Sequence, residues 1–470
     1  MIRFLLSALA GVLLAAAPAA AQDDYPPLPK PGAPKPYQVP ASETYTLPNG
    51  MQVTLIPFGQ VPKATINLRV YAGSLNEGEK NGLASLTAQM LREGAAGRKG
   101  SDLAEEAAAM GGSILLGGSV HEMTLGIAVL AERAPDAINL LGDVAIHPDF
   151  PASEIERIRQ NYLRGLAVAK SQPQVAANVA LNNAYYGPDN PFGRGMPTDE
   201  QVKSYTLEDV KAFHRANFGA KRARIYVAGQ FDPAAVKAAI ERVFGGWAAG
   251  PERLRLTPAP KAGPQVILVH RPGASQSTLR LAWPAPVAGS SNDIPFEVMD
   301  SLLGGSFTSR ITKNIREDKG YTYSPNSYVN YNPGEGLWGF NADVTTDVTG
   351  AALKEVFGEI RKLQTVPIPD SEGTGIRTWM SGTYILQNAS QTGLIGSLAQ
   401  VDLLGLPKDY ITTYVPRVMA VTNPQMQQAA RQLPLDKMTL IVVGDLAKVE
   451  PQLKALPELQ GMQFQRVTPF

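Results

Sequence analysis

Hydrophobic and polar positions change their period along this chain in an order that occurs twice. From Thr44 the pattern is that of strands: Thr44 to Leu47, the turn Pro48-Asn49-Gly50, then Met51 to Pro57, a hairpin signature. Ala64 to Tyr71 follows, with Ile66, Leu68 and Val70 on one face. The period then becomes helical. Gly82 to Gly94 spaces Leu83, Leu86, Met90 and Leu91 along one stripe, and Asp102 to Met110 is a second, Ala-rich helix with Ser101 as its expected N-cap. Ile114 to Leu116 and Glu122 to Val129 read as paired strands. Helices are expected over Ala131 to Ile146, Ala152 to Ala169, Val175 to Tyr185 and Thr206 to Asn217. A strand, Arg222 to Ala228, and a helix, Ala234 to Phe244, close the set.

Residues 248–264 are rich in Pro and Gly and read as a linker, after which the order recurs. Strands are expected over Gln265 to His270 and Ser277 to Trp283, then helices over Phe296 to Leu303 and Phe307 to Ile315. Thr322 to Tyr331 and Leu337 to Thr345 pair as strands, and Ala351 to Leu363 and Gly373 to Asn388 are helical. Thr439 to Val443 with Gly444-Asp445 echoes Ile225 to Val227 with Gly229 to Asp232. A repeat this long is no solenoid. It predicts an α+β fold of two duplicated domains, 43–247 and 265–470, each a mainly antiparallel sheet with helices packed on one face, the two facing each other as a half-clamshell.

Composition narrows the chemistry. The 43 basic and 42 acidic side chains leave no surplus for nucleic acid or an anionic membrane. There is no cysteine, which excludes disulfides and thiolate metal sites, and the four histidines (His121, His147, His214, His270) are scattered. Residues 1–21 have the form of a signal peptide: Arg3, an apolar run from Phe4 to Ala17 too short for a comfortable span, and Ala19-Ala20-Ala21 as cleavage site. The expectation is a periplasmic protein with no membrane attachment after cleavage. Residues 22–42, with Pro26, Pro27, Pro29, Pro31, Pro34, Pro36 and Pro40, predict an extended arm.

One stretch carries candidate chemistry. Arg316 to Ser324 closes an apolar helical run and opens a strand, so Arg316 and Tyr323 stand at the two ends of one turn and can hold a peptide carbonyl or carboxylate between fixed donors. Taken locally, it is also an ordinary helix end with a basic residue near its C-terminus.

The order of elements, with Leu47-Pro48-Asn49-Gly50, Ala72-Gly73-Ser74 plus Glu77, Gly82-Leu83-Ala84, Leu303-Gly304-Gly305 through Ser309-Arg310, and Arg316 to Ser324, resembles the pitrilysin and insulinase-like (inverted zincin) zinc peptidases over about 43–460. Mitochondrial processing peptidase and the core subunits of respiratory complex III share that architecture. In catalytic members a His-x-x-Glu-His helix binds zinc and a downstream Glu completes the site. The matching positions here are Ser85, Ala88 and Gln89, and Leu163 to Ala169 contains no carboxylate. The resemblance therefore implies no metal and no cofactor in this chain. His121-Glu122 is a poor substitute, since Met, Thr and Leu follow it in an expected strand.

What the resemblance leaves is the Arg–Tyr pair that the family's C-terminal domain presents to the active site, here Arg316 and Tyr323, binding the substrate carbonyl or developing oxyanion. Tyr321, two residues from Tyr323 on the expected strand, is a weaker candidate. Gly117 and Gly118, in the strand Ile114 to Gly118, could carry peptide backbone. The implied function is the non-zinc-binding subunit of a heterodimeric, or larger, periplasmic metallopeptidase, whose HxxEH partner brings the zinc and whose substrates are peptides. The alternative is an inert scaffold or peptide-binding protein of the same fold. Metal-free hydrolysis by Ser85 finds no histidine nearby in sequence and no nucleophile-elbow motif.

Overall fold

The structure is a computed structural model that describes residues 38–261 and 263–470. The expected signal segment, and all of the Pro-rich arm before Gln38, lie outside the described residues.

The first half contains β1 (Glu43–Thr46), β2 (Gln52–Pro57), β3 (Lys63–Val70), α1 (Leu83–Met90), a short ribbon of β4 (Gly94–Ala95) and β5 (Arg98–Lys99), α2 (Gly100–Ala109), β6 (Leu115–Gly118) and β7 (Met123–Leu130). Then come α3 (Ala134–Ile146), α4 (Ile155–Lys170), α5 (Pro173–Tyr186), α6 (Asp199–Ser204), α7 (Leu207–Asn217), β8 (Ala223–Gly229) and α8 (Pro233–Phe244). The second half contains β9 (Gln265–His270), β10 (Gln276–Ala285), α9 (Asp293–Asp300), β11 (Asn326–Asn332) and β12 (Glu335–Thr345). It ends with α10 (Thr349–Thr365), α11 (Asp370–Asn388), α12 (Gln391–Leu404), α13 (Tyr410–Ala420), α14 (Asn423–Ala430), β13 (Thr439–Gly444), α15 (Leu446–Lys454) and β14 (Phe464–Arg466).

The duplication is visible in the strand order. One sheet runs β6-β7-β3-β8-β2-β1 and the other β11-β12-β10-β13-β9-β14. In both, the pairs are antiparallel except at the equivalent step, β2 with β8 and β9 with β13, which is parallel; β14 adds a second parallel pair at its edge. The echo after the closing strands is a shared helix start: the Asp232 carboxylate accepts from the Ala234 amide at 2.9 Å, and Asp445 from the Ala447 amide at 3.2 Å.

Each sheet buries both faces. Val53, Leu55, Ile66, Leu68, Ile225 and Val227 point into the core beneath their own helices. The alternate residues Ile56, Tyr226 and Ala228 pack against Leu394, Ile395 and Ala399 of α12, a helix of the other half. The second sheet mirrors this: Ile267, Val269, Ile441 and Val443 pack against Ala177, Ala180, Leu181 and Tyr185 of α5. The expected helices on one face are thus joined, on the other, by one helix lent by the opposite half. Polar contacts pin both loans. Tyr71 Oη donates to Asp402 Oδ2 at 2.6 Å, Thr65 Oγ1 to Gln391 Oε1 at 2.7 Å, and Arg280 Nε to Asn178 Oδ1 at 2.9 Å. The linker joins in: Arg253 stacks 3.5 Å from the Tyr71 ring.

Several local expectations are corrected. Ser101 is not the N-cap of α2; the helix begins at Gly100, and the Asp102 carboxylate accepts from the Lys99 amide at 3.0 Å. The first helix ends at Met90, four residues early, where the chain turns into the β4–β5 ribbon. The strand expected from Thr322 starts at Asn326, with Thr322 making only an isolated bridge to Val344. His121 and Glu122 sit in the turn before β7 and not in a strand.

Candidate functional site

Ser309 opens the second half's candidate site. It is buried, its hydroxyl accepts from the Thr312 amide, and it starts a helical stretch from Arg310 to Asp318. Arg310 ties that stretch to α11 by two parallel hydrogen bonds to Glu372, of 2.8 and 2.6 Å. Thr312–Asp318 is wound as π-helix, as is Ser301–Gly305 after α9, a winding that recurs at functional sites. Gly320, at φ +64°, supplies the left-handed residue that closes the stretch, and the Tyr321 amide donates to the Ile315 carbonyl at 2.8 Å. The chain is then held against β12: Thr322 Oγ1 donates to the Asp343 carbonyl at 2.7 Å.

This turn brings Arg316 and Tyr323 together. The Arg316 guanidinium lies 4.9 Å from the Tyr323 ring centre and 4.5 Å from the Phe307 ring centre, over both rings. Its Nε is 3.1 Å from the adjacent Glu317 carboxylate, which leaves the terminal N–H groups without that partner. Phe307 is 65% exposed and Tyr323 79% exposed, an unusual state for two aromatic rings in contact with one cation. Sequence reasoning missed Phe307. The available signal was a lone aromatic within the small-residue run Gly304-Gly305-Ser306-Phe307-Thr308-Ser309. Tyr321 and Tyr323 differ in burial, Tyr323 being exposed. Tyr321 packs against the second half's core, so the shared-face argument fails because there is no strand here to alternate on.

Ser85, Ala88 and Gln89 lie on α1, whose N-terminus is set by Glu77. Its buried carboxylate accepts from the Gly82 and Ala84 amides at 2.9 and 2.8 Å, and burial pushes it up to about 7. Gly82, at φ +87°, allows close approach of α4: a Cβ there would fall 2.6 Å from Tyr162 Oη. Burial pushes the Tyr162 phenol up to about 12. The Gln89 amide donates to the Ser85 carbonyl at 3.3 Å. A hydroxyl, a methyl and an amide turned to its own helix do not fit a zinc ion, and the adjoining Leu163 to Ala169 stretch of α4 adds no carboxylate. Among the described residues, no three His, Asp or Glu side chains gather as metal ligands.

His121 and Glu122 point to different partners. His121 Nε2 lies 3.0 Å from Asn332 Oδ1 of the other half, whereas Glu122 pairs with Arg69. Gly117 and Gly118 stand on β6, the edge strand of the first sheet, beside Leu115, which is 68% exposed.

Residues 55–193 match the model of the insulinase peptidase family M16, and residues 204–377 match that of the peptidase M16 inactive domain. An uncharacterized zinc protease of Bacillus subtilis is 22% identical over 401 residues, spanning 85% of this chain and 97% of that protein. One of Rickettsia felis is 26% identical over 321 residues, 67% of this chain and 77% of that one. The crystal structure of a peptidase M16 inactive domain from Pseudomonas fluorescens superposes with a TM-score of 0.78 at 24% identity, covering 86% of this chain and 98% of that one. A protease structure from Helicobacter pylori gives 0.76 at 18% identity, over 87% and 100%.

Proposed function

The chain belongs to the insulinase-like M16 peptidase family, as an inactive-type subunit, and on that premise we propose that it completes the active site of an HxxEH partner in a heterodimeric or larger periplasmic metallopeptidase. The partner supplies the zinc and the general base. This chain supplies Arg316 and Tyr323, which bind the substrate's backbone carbonyl and the charge that develops on it.

The observation that carries the reading is the stack. A guanidinium in contact with two rings loses freedom to reorient, and an oriented donor stabilises a developing oxyanion without reorganising. Phe307 adds a second ring contact to the one Tyr323 makes, and so helps to orient the guanidinium. A residue pair serving a scaffold alone would have no reason to leave two aromatic rings this exposed around a cation. The free edge of β6, with Gly117 and Gly118, is where this chain would accept peptide backbone.

The test is a quenched-peptide assay on this chain alone and mixed with an exported HxxEH protein encoded beside it. Cleavage only in the mixture, abolished by a chelator, supports the split enzyme. A mixture that forms no complex and cleaves nothing rejects it in favour of a peptide-binding or scaffold role.

A further inference from the structure

The second half holds a cavity of about 380 Å³ between α9, β11, α11, α12 and α13, with the exposed Gln387 and Gln400 in its lining. Glu297 and Asp300, one helical turn apart on α9, share its wall with the phenol rings of Tyr331, Tyr384, Tyr410 and Tyr414. No Lys, Arg or His lines it.

The three acidic residues of α9 are treated differently. Asp293, fully buried and behind the cavity wall, is paired with Arg417 at 2.6 Å and accepts from the lining Tyr410 hydroxyl at 3.3 Å, with Arg417 5.2 Å from the Tyr410 ring centre. Glu297 and Asp300, which face the cavity, have no cationic partner among the described residues. Their oxygens take only neutral donors: Tyr414 Oη to Glu297 at 2.7 Å, Trp338 Nε1 to Asp300 at 2.6 Å, and the Ser327 hydroxyl. Burial pushes both carboxyls up to about 7. A buried carboxylate without a counter-charge is costly by several kcal/mol. Aromatic rings attract a desolvated organic cation, and the lining includes Tyr331, Tyr410 and the stacked pair Tyr384 and Tyr414, 4.1 Å between ring centres. The volume is at the small end for ligand pockets, enough for one side-chain-sized guest.

We propose that this cavity binds the ammonium or guanidinium head of an organic cation between the Glu297 and Asp300 carboxylates and the tyrosine rings. The cation is either a free amine or the basic side chain of a peptide. The site is separate from the Arg316 stack and does not depend on the role proposed for it.

Calorimetric titration of the full chain with n-butylguanidinium, with the isosteric neutral n-butylurea as control, tests this. We expect saturable binding of the cation in the millimolar range or tighter and none of the urea. Glu297→Gln, which keeps the shape and removes one charge, should weaken binding by about tenfold or more while retaining a cooperative melt. Tyr410→Leu, which removes one ring and spares both carboxylates, should weaken it several-fold. A blocked peptide containing arginine, compared with its citrulline counterpart, separates the sources: binding of the arginine peptide assigns the site to peptide side chains, and binding of butylguanidinium alone assigns it to small amines. Absence of cation binding, equal binding of the urea, or full affinity in Glu297→Gln overturns the proposal.

Discussion

Replacing Phe307 with alanine separates the orienting of Arg316 from its chemistry. The substitution removes one of two ring faces against the guanidinium and leaves Arg316 and Tyr323 in place. A cation–π contact at an exposed site contributes about 0.5–1 kcal/mol, equivalent to about 2–5-fold in rate if the orientation is needed in the transition state. If the arginine becomes fully mobile, re-ordering it costs up to about 2 kcal/mol, or roughly 30-fold. Loss of the donor itself, in Arg316→Ala, should cost about 10²-fold or more. Phe307 is 65% exposed, so the fold should lose no more than about 0.5 kcal/mol. The assay is kcat on a quenched peptide by the assembled pair, with melting of the isolated chain as control. Phe307→Ala should fall between wild type and Arg316→Ala, and Phe307→Trp should recover the rate. If Phe307→Ala matches wild type while Arg316→Ala is crippled, the stack does not orient the donor. If Phe307→Ala is the worse of the two, the ring itself holds substrate.

Three further outcomes are expected. Leu394→Ala, at a fully buried contact of α12 with the first sheet, should destabilise by about 2–5 kcal/mol; denaturant unfolding should stay a single transition, and a loss below about 1 kcal/mol would show that α12 is not seated there. Glu297 is raised from 4.5 to about 7, so the folded state holds its proton more tightly; its stabilisation is complete below about pH 4.5 and is lost as pH rises through 7. Because His121 and His214 are shifted down and oppose this trend, the reading is the difference between wild type and Glu297→Gln: the variant should gain on the order of 2–3 kcal/mol relative to wild type between pH 5 and pH 8, and parallel pH curves would refute it. Metal analysis of the chain purified alone should give no stoichiometric zinc, and one zinc per chain would overturn the reading of Ser85, Ala88 and Gln89.

What the sequence could reveal followed from how many faces each element buries. β3 and the hairpins alternate cleanly, and β8, β9 and β13 read as short continuous apolar runs because both sheet faces are covered. The same cause hid α12. Leu394, Ile395 and Ala399 face the foreign sheet while the rest of the helix lies among its neighbours α11 and α13, so no single stripe stands out at helical spacing. Arg316 and Tyr323 were legible as a spacing, but their stacking was not. In a π-wound turn each side chain is displaced by one position from the face a 3.6-residue period predicts, and Phe307 arrives from before the helix. Tyr321 misled for a related reason: alternation needs a strand, and the backbone ladder here amounts to one isolated bridge at Thr322.

The reciprocal loan of α5 and α12 also dictates the order in which the chain can mature. When β8 is complete, the first half has every strand of its sheet, yet the face bearing Ile56, Tyr226 and Ala228 has nothing to cover it until Gln391–Leu404 has been made and docked. In the meantime α5 carries an apolar side, Ala177, Ala180, Leu181 and Tyr185, whose sheet is not yet synthesised. Neither half can reach its final state first. A newly made chain must keep two sticky surfaces apart from other molecules until late, long-range docking closes both together, a slow and aggregation-exposed step that a chaperone would have reason to attend.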